Sequence, residues 1–198
     1  MTGDTPMDPA RLDALLGFLA RAGGLKDTLR SGFTAAGRSE STAEHSWRLA
    51  LLAILLEDDL PGIDLLKLVK LCLIHDLGEV ISGDTPAPLQ AADDGRAARE
   101  RRDMAGLCDG LPADRAAALM ALWDDYTGAA SPEAVLAKGL DKIETVLTHA
   151  AGGNPADFDY GFNLGYARGA TDRHPLLTQI RAAADAATRA RMTGDTPR

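Results

Sequence analysis

Four side chains far apart in the chain, His45, the adjacent pair His75 and Asp76, and Asp141, are of the types that hold a divalent cation. Two imidazoles with two carboxylates form a donor set of intermediate softness. It suits one transition metal, Mn²⁺, Fe²⁺, Co²⁺ or Zn²⁺, with positions left for water and substrate. Just beyond the His75-Asp76 pair stand two further carboxylates, Glu79 and Asp84. Glu79 follows His75 by four residues, one helical turn, so it shares the metal-facing side. It is expected to orient or deprotonate a water. Asp84 follows Gly83 in a turn that Pro86 stiffens. There it could meet a leaving oxygen or a sugar, or serve only as an Asx-turn residue. Taken together these residues are the raw material of metal-assisted hydrolysis.

Helices must position them. Apolar residues recur at helical spacing, punctuated by Gly and Pro, and no alternating β-branched runs occur. A first helix is expected over Pro9 to Ala22, capped by Asp8, with Leu12, Leu15, Leu16 and Leu19 facing inward. A Gly- and Ser-rich loop, Arg30 to Ser39, then leads to Ser41-Thr42-Ala43-Glu44, a capping box. The helix it opens sets His45, Leu49, Leu52 and Leu56 on one stripe, with His45 at the entrance of a buried face. After a turn at 58–62, Asp64 caps a helix whose stripe runs Leu68, Leu71, Cys72 and His75. Antiparallel packing through that short turn brings the start of one helix near the end of the next. Further helices are expected at roughly 90–108, 112–127, 132–149 and 175–191, the third opening at Ser131-Pro132-Glu133 and carrying Asp141. Gly152 to Pro155 reads as a turn, and FDYGFNLGY (Phe158 to Tyr166) concentrates aromatics that could cover a pocket.

The bulk properties narrow the partners. A chain of 198 residues, 45% hydrophobic and 25% charged, can bury a core without disulfides. The net charge of −8 leaves no basic stripe for a nucleic-acid polymer, although local cations and a metal can still attract a small phosphorylated substrate. The longest apolar run, Leu49 to Leu56, is too short for a membrane span, and the amino terminus lacks a signal-peptide pattern. Cys72 and Cys108 both fall in expected helices, so a cytoplasmic location is expected. The hexapeptide MTGDTP occurs at 1–6 and again at 192–197; residues 1–7 and 192–198 are read as polar tails of one domain.

At this point the sequence resembles the HD-domain superfamily of metal-dependent phosphohydrolases, whose pattern is H…HD…D. It is most similar to the branch of 5′-deoxynucleotidases, through LKDTLRSGF (Leu25 to Phe33), ESTAEHS (Glu40 to Ser46), HDLGEVISGDTPAP (His75 to Pro88) and LAKGLDKIE (Leu136 to Glu144). The likeness covers about 25–150 and thins toward both ends. It implies an all-α, single-domain helical bundle, commonly a homodimer, that hydrolyses nucleoside 5′-monophosphates. By the same resemblance His45, His75, Asp76 and Asp141 are the metal ligands, Glu79 and Asp84 are functional carboxylates, and Arg30 contacts the phosphate. A guanidinium fork suits phosphate oxygens. The chain departs from the pattern at Ser31, where the branch can carry an aromatic beside the sugar, so the resemblance implies the nucleotidase chemistry and leaves the sugar, ribose or deoxyribose, open.

Other readings are distinguishable. A dinuclear iron oxygenase or phosphodiesterase on this scaffold needs extra histidines, and none occurs from Leu77 to Thr148. Hydrolysis of a nucleoside triphosphate or cyclic nucleotide is the neighbouring enzymatic alternative. A non-catalytic helical module has no physical need for carboxylates buried around a metal site. Lys138 reads as a solvated face residue, His149 and His174 as structural or exposed, and Trp47 and Trp123 as core or dimer contacts.

Overall fold

The computed structural model describes residues 6–90 and 95–194; five of the six residues of the first MTGDTP copy, and the last three of the second, lie outside them. Among the described residues, ten α-helices and one hairpin follow in order: α1 (Pro9–Ala22), β1 (Leu29–Phe33), β2 (Ser39–Ser41), α2 (Thr42–Leu55), α3 (Leu65–Ile74), α4 (Glu79–Ser82), α5 (Arg96–Leu107), α6 (Ala113–Gly128), α7 (Pro132–Ala151), α8 (Tyr160–Gly165), α9 (Arg168–Thr171) and α10 (Pro175–Thr193). The fold is all-α apart from that hairpin. No helix among the described residues is long and apolar enough to cross a membrane.

Helix α7 is the axis. Ser131 caps it, accepting from the Ala134 amide, and Pro132 fills the first turn. Its Leu136, Leu140, Ile143 and Val146 are buried in the larger core cluster with Leu49 and Ala53 of α2, Leu68 and Leu71 of α3, and Leu177 and Ala184 of α10. A smaller cluster joins Leu25, Ile74, Met104, Leu107 and Trp123. Helices α2, α3 and α10 all pack on α7.

The local start signals act as the sequence suggests. Ser41 and Glu44 form both halves of the capping box of α2, and Asp64 accepts from the Lys67 amide to cap α3. Three expectations need correction. The segment read as a loop from Arg30 to Ser39 is mostly an antiparallel hairpin, with Leu29 opposite Ser41 and Phe33 opposite Ser39. Its strands lack β-branched residues; docking on α7 stabilises it, Gly32 lying so close that a Cβ there would sit 2.8 Å from Thr148 Cγ2. The leucine stripe of α1 does not face inward. Leu12, Leu16 and Leu19 are 43%, 54% and 66% exposed, and Phe18 and Ala22 supply the packing instead. Periodicity marks a face as apolar without saying what covers it. Finally, the helix expected from residue 90 starts at Arg96, after Gly95 in the left-handed region (φ 71°), and residues 91–94 lie outside the described set.

Candidate metal centre

Helix α2 presents His45 one turn past its capping box, and α3 ends on His75 with Asp76 in the following turn. Helix α7 brings Asp141 from the opposite wall. The side chains converge: His45 Nε2 lies 3.2 Å from Asp141 Oδ1 and 3.9 Å from Asp76 Oδ2, while His75 Nε2 lies 3.0 Å from Asp76 Oδ2 and 3.8 Å from Asp141 Oδ1. Neighbouring ligands on an ion with bonds near 2.1 Å stand about 3 Å apart; His45, His75 and Asp76 offer donor atoms that all lie within 4.8 Å of one another, and Asp141 stands against both imidazoles.

Three atoms say that the four residues fit a cation. His45 Nε2, His75 Nε2 and Asp141 Oδ1 are buried and have no hydrogen-bond partner among the described residues. Buried polar atoms are normally satisfied. The other nitrogen or oxygen of His45, His75 and Asp141 is engaged. His75 Nδ1 donates to the Cys72 carbonyl at 3.0 Å, which forces the proton onto Nδ1 and turns the Nε2 lone pair to the centre. His45 Nδ1 is paired at 2.5 Å with Glu144 Oε2. Asp141 Oδ2 accepts from the Tyr126 hydroxyl at 2.6 Å and meets Lys142 Nζ at 2.8 Å, leaving Oδ1 free.

Charge follows geometry. Burial opposes ionisation of Asp76, but His75 and Arg30 hold it below the usual carboxylate range. Asp141 is held lower in the same way, by Lys142 and the two imidazoles. For His45, burial and Arg30 oppose the positive charge, yet the Asp141 and Glu144 carboxylates outweigh them and raise it to about 9.

Around this cluster runs a cavity of about 660 Å³ that Arg30, Glu79, Asp84, Lys142, Thr145 and His149 help to line. The hairpin delivers Arg30, whose Nη1 donates to Asp76 Oδ2 at 3.0 Å and Nη2 to Thr145 Oγ1 at 3.2 Å. Glu79 opens α4 and accepts from Thr42 Oγ1 at 3.0 Å. Burial, with Asp76 and Asp84 nearby, pushes its carboxyl up to about 9. Asp84 follows Gly83 (φ 78°) and is raised by burial against the pull of Arg30.

The sequence reading gave no role to two neighbours, Glu144 and Lys142, and only a structural or exposed one to His149. Glu144 is fully enclosed: Thr148 donates to its Oε1 at 2.8 Å and Arg48 Nη1 lies at 3.0 Å, so it anchors the His45 ring. Glu40, His45 and Glu144 also lie close enough together to share an ion, but those partners occupy the carboxylate of Glu144. Lys142 sits beside Asp141 in the cavity wall, and its position next to a proposed ligand was the available signal. His149, read as structural or exposed, is buried and lines the cavity. Lys138, read as a solvated face residue, is half-buried; it donates to the Thr127 carbonyl at 2.7 Å and lies over the Tyr126 ring. Trp123 is core, whereas Trp47 is 61% exposed. His174 caps α10. Phe158, Phe162 and Tyr166 do line the pocket.

Known proteins are similar to this chain. A family model described as HD domain matches residues 22–181. The 5′-deoxynucleotidase HDDC2 of Homo sapiens is 34% identical over 136 residues, spanning 68% of this chain and 66% of that protein. The 5′-deoxynucleotidase HDDC2 of Mus musculus is 33% identical over 67% of each chain. The chain thus spans about two thirds of the length of these relatives. Among solved structures, one titled a predicted metal-dependent phosphohydrolase from Magnetospirillum magnetotacticum MS-1 is 30% identical, with TM-score 0.69 over 91% of this chain and 96% of that one. The PH0347 protein of Pyrococcus horikoshii OT3, 22% identical, shares the fold at TM-score 0.63 over 88% and 98% of the two chains.

Proposed function

The chain belongs to the HD-domain family, and from that premise we propose that it is a metal-dependent phosphomonoesterase removing the 5′-phosphate of (deoxy)nucleoside monophosphates. The observation that carries the reading is the convergence of His45, His75, Asp76 and Asp141, with three buried donor atoms turned to one point and unpaired. The relatives named as 5′-deoxynucleotidases support the choice of substrate class.

In this reading the two imidazoles and two carboxylates hold one divalent transition metal, Mn, Co, Fe or Zn. When bound, such an ion supplies positive charge that acidifies a water and neutralises phosphate oxygens. Arg30, already aimed between Asp76 and Thr145, binds the remaining phosphate oxygens with its two terminal nitrogens. Glu79 and Asp84 handle protons, one leaving the water and one reaching the departing sugar oxygen. Their buried, raised carboxyl groups suit proton transfer near neutral pH. Lys142 keeps Asp141 ionised from behind.

Assembly and location belong to the same reading. We infer a homodimer, a second copy covering the exposed Leu12, Leu16 and Leu19 stripe of α1. The two unpaired, buried thiols of Cys72 and Cys108 support a cytoplasmic setting.

The test is phosphate release by metal-reconstituted protein from nucleoside mono-, di- and triphosphates. Monophosphate hydrolysis that Asp76→Ala abolishes, together with metal content, is the expected result. Triphosphate hydrolysis without monophosphate activity would replace this reading with the neighbouring one.

A further inference from the structure

One end of the cavity is polar, enclosed and unused by the chemistry above. Asp141, Thr145 and His149 are spaced by four residues along α7 and all line the cavity. Thr145 to His149 is one helical turn, an advance of about 6 Å, so His149 stands beyond the phosphate position that Arg30 and Thr145 mark. That offset is comparable to the distance from a 5′-phosphate to the sugar and near edge of the base.

At that end the side chains are held in a fixed hydrogen-bond pattern. His149 is 7% exposed, and its Nδ1 lies 2.9 Å from Asn163 Oδ1. The amide oxygen can only accept, so His149 carries its proton on Nδ1, and Nε2 faces the Ser31 hydroxyl at 3.5 Å. Burial holds the ring below the ordinary imidazole range, which keeps it neutral. Asn163 itself is 1% exposed, and its Nδ2 has no partner among the described residues. An unpaired amide donor in a buried site is destabilising unless a ligand supplies the acceptor.

The support for Asn163 is elaborate. Arg181, fully buried on α10, donates to the Asn163 carbonyl at 2.5 Å and the Tyr166 carbonyl at 2.7 Å, and is itself held by Asp185 at 2.8 Å. This clamp fixes the short α8 turn. Phe158 packs edge-on against His149 with ring centres 5.0 Å apart, and Phe162, with its ring centre 5.5 Å from that of Tyr166, also lines the cavity. Aromatic walls with a few convergent polar groups are the usual composition of a small-molecule site.

We propose that Ser31, His149 and Asn163 form the nucleoside-reading end of the cavity, the Asn163 amide donating to an oxygen of the base or sugar between the Phe158 and Phe162 rings. This inference rests on the reading of the site as a nucleotide phosphatase.

The experiment compares kcat/KM of the metal-reconstituted wild type with Asn163→Asp and Ser31→Ala, on thymidine 5′-monophosphate, deoxyribose 5-phosphate and phenyl phosphate. Asn163→Asp keeps the size and the acceptor toward His149 while removing the donor. Ser31→Ala, in the hairpin, guards against a folding defect in the first variant, and melting midpoints monitor both. The nucleotide should lose at least about tenfold more than phenyl phosphate, as when a hydrogen bond to substrate is removed. A loss confined to the nucleotide places the acceptor on the base; a loss shared with deoxyribose 5-phosphate places it on the sugar. Equal losses on all three substrates, or none, overturn the subsite. If the wild type hydrolyses none of them, the phosphatase reading has failed by itself. Calorimetric titration of thymidine then decides the subsite. Weaker binding by Asn163→Asp than by wild type supports it, and equal binding, or none by either, overturns it.

Discussion

A histidine that ligates through Nε2 must keep its proton on Nδ1, and the acceptors that enforce this matter as much as the ligand. Glu144 does so for His45, with Arg48 and Thr148 fixing its other oxygen. Replacing Glu144 with Gln leaves an acceptor within reach but removes the charge that steadies the ring. Metal affinity should fall about 10–100-fold, read by calorimetry on metal-free protein, and unchanged affinity would make Glu144 a packing residue only. Glu79 tests the other half of the site. It touches Thr42 rather than a ligand, so Glu79→Gln should retain the metal while kcat falls about 10²–10⁴-fold; metal loss in parallel would instead assign it to coordination. At this scale the convergence of His45, His75, Asp76 and Asp141 was legible because their residue types and spacing are distinctive. Glu144 and His149 were not, since helical spacing tells which face a residue shares and not which side chain crosses from another element to meet it.

Elements were legible where their signals are local. The caps at Asp8, Ser41, Asp64 and Ser131 sit within three residues of the amides they serve, and all four accept as their types suggest. The hairpin was not, because it is stabilised from outside, by docking of Gly32 on α7. That contact yields its own prediction. A Cβ at Gly32 would meet Thr148 Cγ2 at 2.8 Å and Glu40 Oε2 at 3.2 Å, and Thr148 is tied to Glu144 and cannot give way freely. Gly32→Ala should therefore lift the strand that carries Arg30, costing about 1–3 kcal/mol of stability and raising KM more than it lowers kcat. A melting curve beside steady-state kinetics checks it, and an unchanged KM would show that Arg30 is placed independently of the hairpin. The same logic explains α1, whose leucine periodicity is real but whose covering surface no sequence pattern specifies.

For the whole molecule, the metal and the fold are coupled through protons. The sequence shows which groups carry charge, but only packing reveals that they are buried together and compete for protons. In the metal-free protein His45 is raised to about 9 from an ordinary 6.5. Its stabilising contribution is therefore fully present below pH 6.5 and is lost as pH rises through about 9. Glu79 acts in the same direction. Its carboxyl is raised to about 9 from 4.5, so the folded state holds a proton that the unfolded chain has released, and folding weakens as pH climbs across that window. Asp76 and Asp141 are shifted downward, and their contributions, present above the ordinary carboxylate range, stay constant there. The metal-free protein should thus lose melting temperature from pH 6.5 to 9. A cation displaces the His45 proton and favours ionised Glu79, so the loaded protein should keep its stability across the same interval. At a free metal concentration of about 100 Kd, binding adds roughly 2.7 kcal/mol. For a chain of this size that corresponds to a rise of roughly 5–10 °C. Melting curves with metal and with chelator, taken at several pH values, should diverge as pH increases; parallel curves would mean that the four ligands and their protons do not meet at one ion.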